Sequence, residues 1–390
     1  MGHAHSHLNT AAQLVTSYSG EEPFGTVLKR FFSAHAKYGS RDRKRIASLC
    51  YSYFRSFPIL QEGPITDRLV TAHFFCLSTA DPFLTELRPD WVPLAGQDIR
   101  SKFAFVYPGR PWPGLFPFAA DCSTGIDPDA LGRSLLIQPD LFLRVRPGKE
   151  ETVLSRLVAG GIPFRRIGDM ALALDNGTQV DRIVRIDMEA VVQDLSSQRI
   201  ASFFRMLTPP ADRPLRLWDC CAGSGGKSIL AFDTLSSVEL TVTDRRPSIL
   251  QNLRDRFRRA GIDQYHDRVC DLTRQPDPFP GQMFDLVIAD VPCTGSGTWG
   301  RTPEQFAYFR HESISAYAAL QRSILDSVCG SVAPGGWLLY CTCSLFEKEN
   351  AEQVRYLAAE KKLQVAGSSL LVGYPEHADT LFAALLQRPL

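Results

Sequence analysis

The sequence lacks an excess of charge, a long apolar run and any regular cysteine spacing. Its 43 Lys and Arg stand against 42 Asp and Glu, a formal net charge of +1, so overall charge points to no partner. No apolar stretch approaches the roughly 18–20 residues that span a membrane. No signal peptide is recognisable either, so no membrane partner is expected. The 10 cysteines contain no Cys-x-x-Cys, which disfavours zinc, and no metal site is assigned. Cys220 and Cys221 are adjacent, and Cys341 and Cys343 are one residue apart, spacings poorly suited to disulfides. Free thiols imply a reducing, cytoplasmic compartment. Internal repeats and low-complexity segments are absent. At the start, His3, His5 and His7 alternate, which reads as a flexible terminus rather than a metal site.

What is present is the composition of a globular protein, 44% hydrophobic and 22% charged over 390 residues. That length suits two or three domains. Between Phe24 and Phe57 the apolar spacing is helical: Val27, Leu28, Phe31 and Phe32, then Ile46, Leu49, Cys50 and Tyr53. Gly39 reads as a helix stop and Ser40 as a cap. Residues 1–99 form an expected helical domain. Residues 100–138, rich in Pro and Gly, read as a linker or irregular lobe. Residues 139–190 read as a small α/β module: strands at Leu141–Val145, Pro163–Arg166 and Met170–Leu174, a helix at Glu150–Ala159, and a turn at Asp175-Asn176-Gly177. Val191–Leu207 reads as a connector helix. Two basic clusters, Lys37 to Arg45 and Arg254 to Arg259, are either solvated helix faces or nucleic-acid contacts.

From Leu215 strands and helices alternate, with strands at Leu215–Trp218, Val238–Val242, Leu286–Ala289 and Trp337–Tyr340. Helices are expected at Ser248–Ala260 and Ser313–Val332. Such alternation means parallel strands with right-handed crossovers. The expected fold class of residues 191–390 is α/β, a doubly wound, Rossmann-like sheet. Its first strand runs into Asp219-Cys220-Cys221-Ala222-Gly223-Ser224-Gly225-Gly226-Lys227, where three glycines allow a tight turn and close approach to a ligand. A phosphate-binding GxxxxGKS would need glycine at position 221, which is cysteine, so ATP is disfavoured. Asp244 ends the second strand, about 20 residues on, and suits ribose hydroxyls. Asp271, after Arg268-Val269-Cys270, ends the third and could meet an adenine amino group. These residues leave NAD and S-adenosylmethionine both open, with Asp219 favouring the latter.

The most informative stretch is Leu286-Val287-Ile288-Ala289-Asp290-Val291-Pro292-Cys293-Thr294-Gly295. A buried strand stops at Pro292, which cannot donate to a sheet ladder. Ligands in open α/β sheets bind at the carboxyl ends of strands, so Asp290 and Cys293 stand where chemistry is done. Trp337 to Ser344 repeats the pattern and delivers Cys343. A lone cysteine after a strand is ordinarily a small buried hydrophobe. Cys341, Cys220 and Cys329 are read that way, and Cys221 as loop packing.

The ordered motifs Asp290-x-Pro292-Cys293-x-Gly295-x-Gly297-Thr298, Arg301-x-Pro303-Glu304, Leu320-Gln321, Gly335-Gly336, Tyr340-x-Thr342-Cys343-Ser344 and Glu349-Asn350 resemble the Sun/Nop family of RNA 5-methylcytosine methyltransferases. Gln193-Asp194-x-x-Ser197-Gln198 resembles that family's lead-in helix, and Cys221-Ala222-x-x-Gly225-Gly226-Lys227 its cofactor loop. The match runs from about Leu141 to the end. Gly39 to Arg43 with Tyr51 to Arg55 resembles the NusB-type RNA-binding domain of bacterial members. The resemblance implies a methyltransferase using S-adenosylmethionine. Cofactor contacts would come from Cys221, Ala222, Gly223, Ser224, Gly225, Gly226, Lys227, Asp244, Asp271 and Asp290. It implies Cys343 as the attacking thiol, Cys293 as the thiol that assists release, and Asp290 at the cytosine ring nitrogen. Arg301 becomes a candidate phosphate contact. The partner implied is RNA, ribosomal RNA before transfer RNA, and the chain is expected to act as a monomer; a small sheet module such as residues 139–190 often sits beside nucleic acid, though a plain spacer reads the same. Ser224 replaces the family's usual Pro, so a more flexible loop is expected; Val291 and Thr294 replace Ala and Ser. The rival readings are a transfer-RNA enzyme, an amino-group methyltransferase with no use for Cys343, and a non-catalytic ribosome-assembly factor.

Overall fold

The computed structural model describes residues 3–168, 170–274 and 278–390. The chain divides into two compact units: residues 1–120, 127–138 and 299–310, and residues 121–126, 139–298 and 311–390. Among the described residues no helix is long and apolar enough to cross a membrane.

The first unit is helical. Its opening helix, His3–Ser17, takes in the alternating histidines and buries Ala4, Leu8, Ala11 and Val15 along one face. The expected flexible terminus is therefore ordered from residue 3, because its apolar residues recur at helical spacing; Met1 and Gly2 lie outside the described residues. Helices Phe24–Ala34 and Ser40–Ser56 follow. Ser40 is the first residue of the second of these, not its cap. Asp42 reaches back to accept the Gly39 N–H at 3.0 Å. Residues 100–120 and 127–138 are packed into this unit rather than forming a linker. Helices Ile99–Val106 and Pro128–Leu135 bury Phe103, Leu131 and Leu135. The buried Arg55 guanidinium donates to the carbonyls of Leu135 (2.9 Å) and Ile137 (3.1 Å) and to Gln138 Oε1 (2.6 Å). A second correction concerns Trp299–Arg310, which belongs to this unit and not to the sheet domain. There Trp299 stacks on Phe306 at 5.0 Å, Glu304 Oε1 accepts the Phe24 N–H at 3.2 Å, and the Tyr308 hydroxyl donates to the Tyr18 carbonyl at 2.8 Å.

The second unit begins with a four-stranded antiparallel sheet of β1 (Leu141–Val145), β2 (Arg165–Ile167), β3 (Ala171–Leu174) and β4 (Ala190–Val192), in the order β2-β3-β1-β4. The helix Glu150–Ala159 covers one face, packing Val153 and Leu157 on Leu143, Val145, Leu172 and Leu174. Phe142, Ala171 and Ala173 on the other face pack against Leu195 and Ala378. Val191, expected to open a connector helix, lies in β4 opposite Arg144. Two β-branched residues at 191 and 192 favour the strand. Helix resumes at Leu195–Arg199, where Asp194 Oδ1 accepts the Ser196 N–H at 2.8 Å.

The main sheet has seven strands: β5 (Leu215–Asp219), β6 (Val238–Asp244), β7 (Tyr265–Val269), β8 (Phe284–Asp290), β9 (Val332–Thr342), β10 (Gln364–Leu371) and β11 (Leu381–Gln387). Their order is β10-β11-β9-β8-β5-β6-β7, with β11 antiparallel to both neighbours and β5 to β9 parallel. One face buries Leu217, Val242, Leu286 and Leu339, the other Trp218, Val287, Leu338 and Tyr340. Burial on both faces is why these strands read as continuous apolar runs. The helix expected to end at Val332 is Glu312–Val328, because Val332 already pairs with Phe284 in the sheet.

Candidate active site

Strand ends define the site. The turn after β5 passes through Gly223 and Gly225, both with positive φ (54° and 82°), before helix Gly226–Thr234. A Cβ on Gly225 would lie 2.6 Å from the Phe257 ring, so only glycine fits there. The loop, the ends of β6, β7 and β8, and the segment after β9 enclose a cavity of about 310 Å³. Of the candidate residues, Cys221, Gly223, Asp244, Asp271, Asp290, Cys293 and Cys343 line it. The others do not. Ala222 is buried, Ser224 is held by Arg256, the Gly226 carbonyl accepts from Gln193 Nε2, and Lys227 reaches Asp290. Cys220, read as a core residue, is buried yet lines the cavity, as do Arg246, Cys270, Leu272, Leu320 and Ile324, which sequence reading did not assign to it. Arg246 was signalled only by following Asp244 so closely. Arg301 falls in the segment that folds with the helical unit and is not among the cavity's lining residues.

On the nucleotide side, Asp244 is buried and fully engaged. Its Oδ1 accepts from the Arg246 N–H (2.9 Å) and Nε (3.0 Å), and its Oδ2 from Gly223 N–H (3.0 Å) and Arg246 Nη2 (3.2 Å). Burial works to raise its pKa, but these bonds to Arg246 and Gly223 override it and hold the carboxyl below its ordinary value. Asp271 accepts from Thr273 N–H (3.1 Å) and Oγ1 (2.7 Å). Ser224 is not loose: its carbonyl (3.1 Å) and hydroxyl (3.0 Å) both accept from Arg256 Nη1. Arg256 in turn pairs with the buried Asp187 at 2.8 Å, as does Arg259. Arg254 pairs with Asp267, and Arg258 with Asp255. The second basic cluster is thus spent on structure. In the first, Arg45 pairs with Asp81, while Lys37, Arg41, Arg43 and Lys44 are exposed.

On the thiol side, Cys293 Sγ and Cys343 Sγ lie 3.2 Å apart at the ends of adjacent strands. The contact with Cys343, then burial, push the Cys293 thiol well above its usual pKa. Lys227 Nζ bonds Asp290 Oδ2 at 2.6 Å. Burial disfavours the Lys227 ammonium, but the Asp290 charge overrides this and keeps it protonated. Behind them Asp219 is wholly buried. Burial first, then the Asp290 charge, push it up to about 7 against the Ser228 hydroxyl bond at 2.6 Å. Gly297 N–H donates to the Cys343 carbonyl at 2.9 Å, and a Cβ there would sit 1.9 Å from the Thr380 carbonyl oxygen.

A parallel sheet with a glycine loop, two acids at successive strand ends and apolar Leu272, Leu320 and Ile324 fits a nucleoside-bearing cofactor such as S-adenosylmethionine. The fold and site define the class of Rossmann-like methyltransferases, here with a paired thiol at the strand ends. Residues 205–383 match the family model described as 16S rRNA methyltransferase RsmB/F. The Ribosomal RNA small subunit methyltransferase B of Vibrio vulnificus is 33% identical over 179 residues, 45% of this chain and 40% of that one. The protein of the same name from Xylella fastidiosa is 30% identical over 267 residues, 67% of this chain and 60% of that one. The matches therefore span less than two thirds of these relatives' length. The crystal structure of PH0851 superposes with a TM-score of 0.71 at 19% identity, over 100% of this chain and 99% of that one. NSun6 from Pyrococcus horikoshii with SFG gives 0.58 at 14% identity, over 66% and 93%. These two likenesses concern the fold.

Proposed function

We propose that this chain is an S-adenosylmethionine-dependent RNA (cytosine-5) methyltransferase acting on small-subunit ribosomal RNA. The observation that carries the reading is the pair of thiols 3.2 Å apart, sharing one cavity with a carboxylate and a glycine loop. An amino-group methyltransferase or an assembly factor has no use for that pair. The relatives' names speak for ribosomal before transfer RNA. The same reading has the chain act as a monomer in the cytoplasm, with the exposed Lys37, Arg41, Arg43 and Lys44 meeting RNA phosphates in the manner of a NusB-type domain.

Gly223, Asp244 and Asp271 would hold the cofactor, which when bound supplies a methyl group on a sulfonium sulfur. Carbon-5 of cytosine is a poor nucleophile, and the chain's residues must change that. The Cys343 thiolate adds to carbon-6: the S–C6 bond forms and the C5–C6 π pair turns carbon-5 into an enamine carbon. Asp290, fixed at Oδ2 by Lys227, faces the ring nitrogen and favours its protonated form, which takes up the displaced electron density. A target base must leave its stack to reach this cavity. Once methylated, carbon-5 must lose its proton; the electrons return to the ring, the C6–S bond breaks and Cys343 leaves as thiolate. Cys293 suits that step. The contact with Cys343 is the first cause holding its proton, ahead of burial and Glu349, and bonding Cys343 to carbon-6 removes that first cause. Cys293 can then ionise and accept the carbon-5 proton.

Incubating the protein with S-adenosylmethionine and either small-subunit ribosomal RNA or transfer RNA, followed by bisulfite sequencing, tests the reading. One protected cytosine in the ribosomal RNA is expected. Protection confined to transfer RNA would move the substrate, and protection in neither would overturn the activity.

A further inference from the structure

Each thiol sits in its own loop, and neither loop's local sequence dictates a 3.2 Å separation of the sulfurs. The loops are tied together by Glu349, which lies beyond β9 and whose side chain is buried. Glu349 forms no ion pair among the described residues. It accepts four hydrogen bonds instead. Oε1 takes the Thr294 N–H (2.9 Å) and Gln321 Nε2 (2.9 Å); Oε2 takes Thr294 Oγ1 (2.6 Å) and Ser344 Oγ (2.5 Å). Thr294 adjoins Cys293 and Ser344 adjoins Cys343, so one carboxylate grips the neighbour of each thiol. Asn350 completes the tie on the Cys343 side, accepting from Thr342 Oγ1 (2.6 Å) and donating to the Ser344 carbonyl (2.8 Å).

Burying a carboxylate without a cation is costly; burial raises the Glu349 pKa, and the bonds from Ser344, Thr294 and Gln321 oppose that rise. A side chain that only filled space would not need them. We infer that Glu349 is a positioning residue that sets the spacing between Cys293 and Cys343. A second effect follows from its charge. After the contact with Cys343 and burial, Glu349 is a further cause that keeps the Cys293 proton in place. Spacing and charge act on the same pair, and together they favour Cys343 as the sulfur free to attack. That last step rests on the proposed function; the spacing does not.

Two variants separate the effects. Glu349→Asp keeps the charge but shortens the reach by one methylene. Glu349→Gln removes the charge and keeps the shape, since the Thr294 and Ser344 hydroxyls can accept from an amide as well as donate. The readout is closure of a Cys293–Cys343 disulfide by diamide, an azo oxidant that takes up the two electrons and two protons the thiols release. Mass mapping of the linked peptides follows it, with no RNA present. Wild-type protein should close faster than Glu349→Asp. Glu349→Asp should close about tenfold or more slowly, as expected for losing a hydrogen bond to a charged group. Glu349→Gln should close with its rate–pH curve displaced to lower pH, because Cys293 gives up its proton more readily. In parallel, Glu349→Asp should lower kcat for RNA by roughly 10²-fold, as misplacement of reacting groups does, with cofactor affinity unchanged. If both variants match the wild-type closure rate and pH curve, the inference is overturned. If Glu349→Asp does not fold, Ser344→Ala, which removes one of the four donors to Glu349, takes its place, and closure at the wild-type rate would overturn the spacing role. If the wild type methylates no RNA, the proposed function fails while the disulfide arm still decides the role of Glu349.

Discussion

The two sides of the cavity are held by opposite means. On the β5–β6 side the fastenings are guanidinium groups: Arg246 on Asp244 with its side chain 55% exposed, and Arg256 on Ser224 with its side chain 17% exposed. On the β8–β9 side they are buried hydroxyls, amides and the Glu349 carboxylate. The Arg246 side chain is 55% exposed while that of Asp244 is 6% exposed, and on the proposed function ribose hydroxyls would replace its bonds to the buried carboxylate, so the exchange leaves no buried group unpaired. A buried, satisfied network resists change, because each broken bond leaves an unpaired polar group costing about 1–3 kcal/mol. On the proposed function, the side meeting a ligand that comes and goes is the exchangeable one, and the side assigned the covalent step is the rigid one.

The largest effects should come from the rigid side. Cys343→Ala should abolish methylation. Cys293→Ala should still permit attack and methyl transfer but stall release, leaving enzyme joined to RNA as a slow band on a denaturing gel. Adding Cys343→Ala should remove the band. A band with Cys343→Ala alone would exchange the two roles.

Beneath both sides lies Asp219, whose folded pKa of about 7 stands above the ordinary carboxyl value of 3.8. A raised carboxyl binds its proton more tightly when folded, so its stabilisation is complete below the unfolded value. It is lost as pH rises toward 7 and is flat beyond. A shift of that size corresponds to on the order of a few kcal/mol. Urea midpoints at pH 5 and pH 8 should differ more for wild type than for Asp219→Asn. An equal difference would remove the argument.

Effects on the exchangeable side should be smaller. Asp244→Ala should weaken S-adenosylmethionine binding by ~1.5–3 kcal/mol, about 10–150-fold, by calorimetry. Arg246→Ala should leave the affinity unchanged or improve it, since its guanidinium occupies the same carboxylate. A large loss there would mean that Arg246 itself contacts the cofactor and that this side is as rigid as the other.

Smallest is the loop fastening. Arg256→Ala frees Ser224 and should cost about tenfold in cofactor affinity. Ser224→Pro, which restores the residue usual in the resembling family, should recover it in the Arg256→Ala background. Failure to recover would mean that Arg256 acts through Asp187 and not through the loop.

Much of the site was legible because its signals are local. Pro292 stops a strand, Gly225 demands a positive φ, and apolar runs buried on both faces mark parallel strands, so Asp244, Asp290, Cys293 and Cys343 could be set at strand ends from the sequence. The C-terminal hairpin of β10 and β11 went unread. Leu381 to Leu386 is a continuous apolar run, which periodicity cannot separate from a buried helix. The expected looseness at Ser224 was mistaken because its partner, Arg256, lies 32 residues away.

The sequence by itself determined which residues end the strands, where the chain must turn, and which chemical groups those ends carry. Each of those depends on a residue and its immediate neighbours. Only the tertiary structure decided that Trp299–Arg310 folds with the helical unit, that Arg246 covers Asp244, and that Glu349 grips the neighbours of two cysteines 50 residues apart. Those are contacts between side chains whose meeting is set by β-strand order and helix packing. A residue type alone says what it can bond, and the fold alone says what comes within reach.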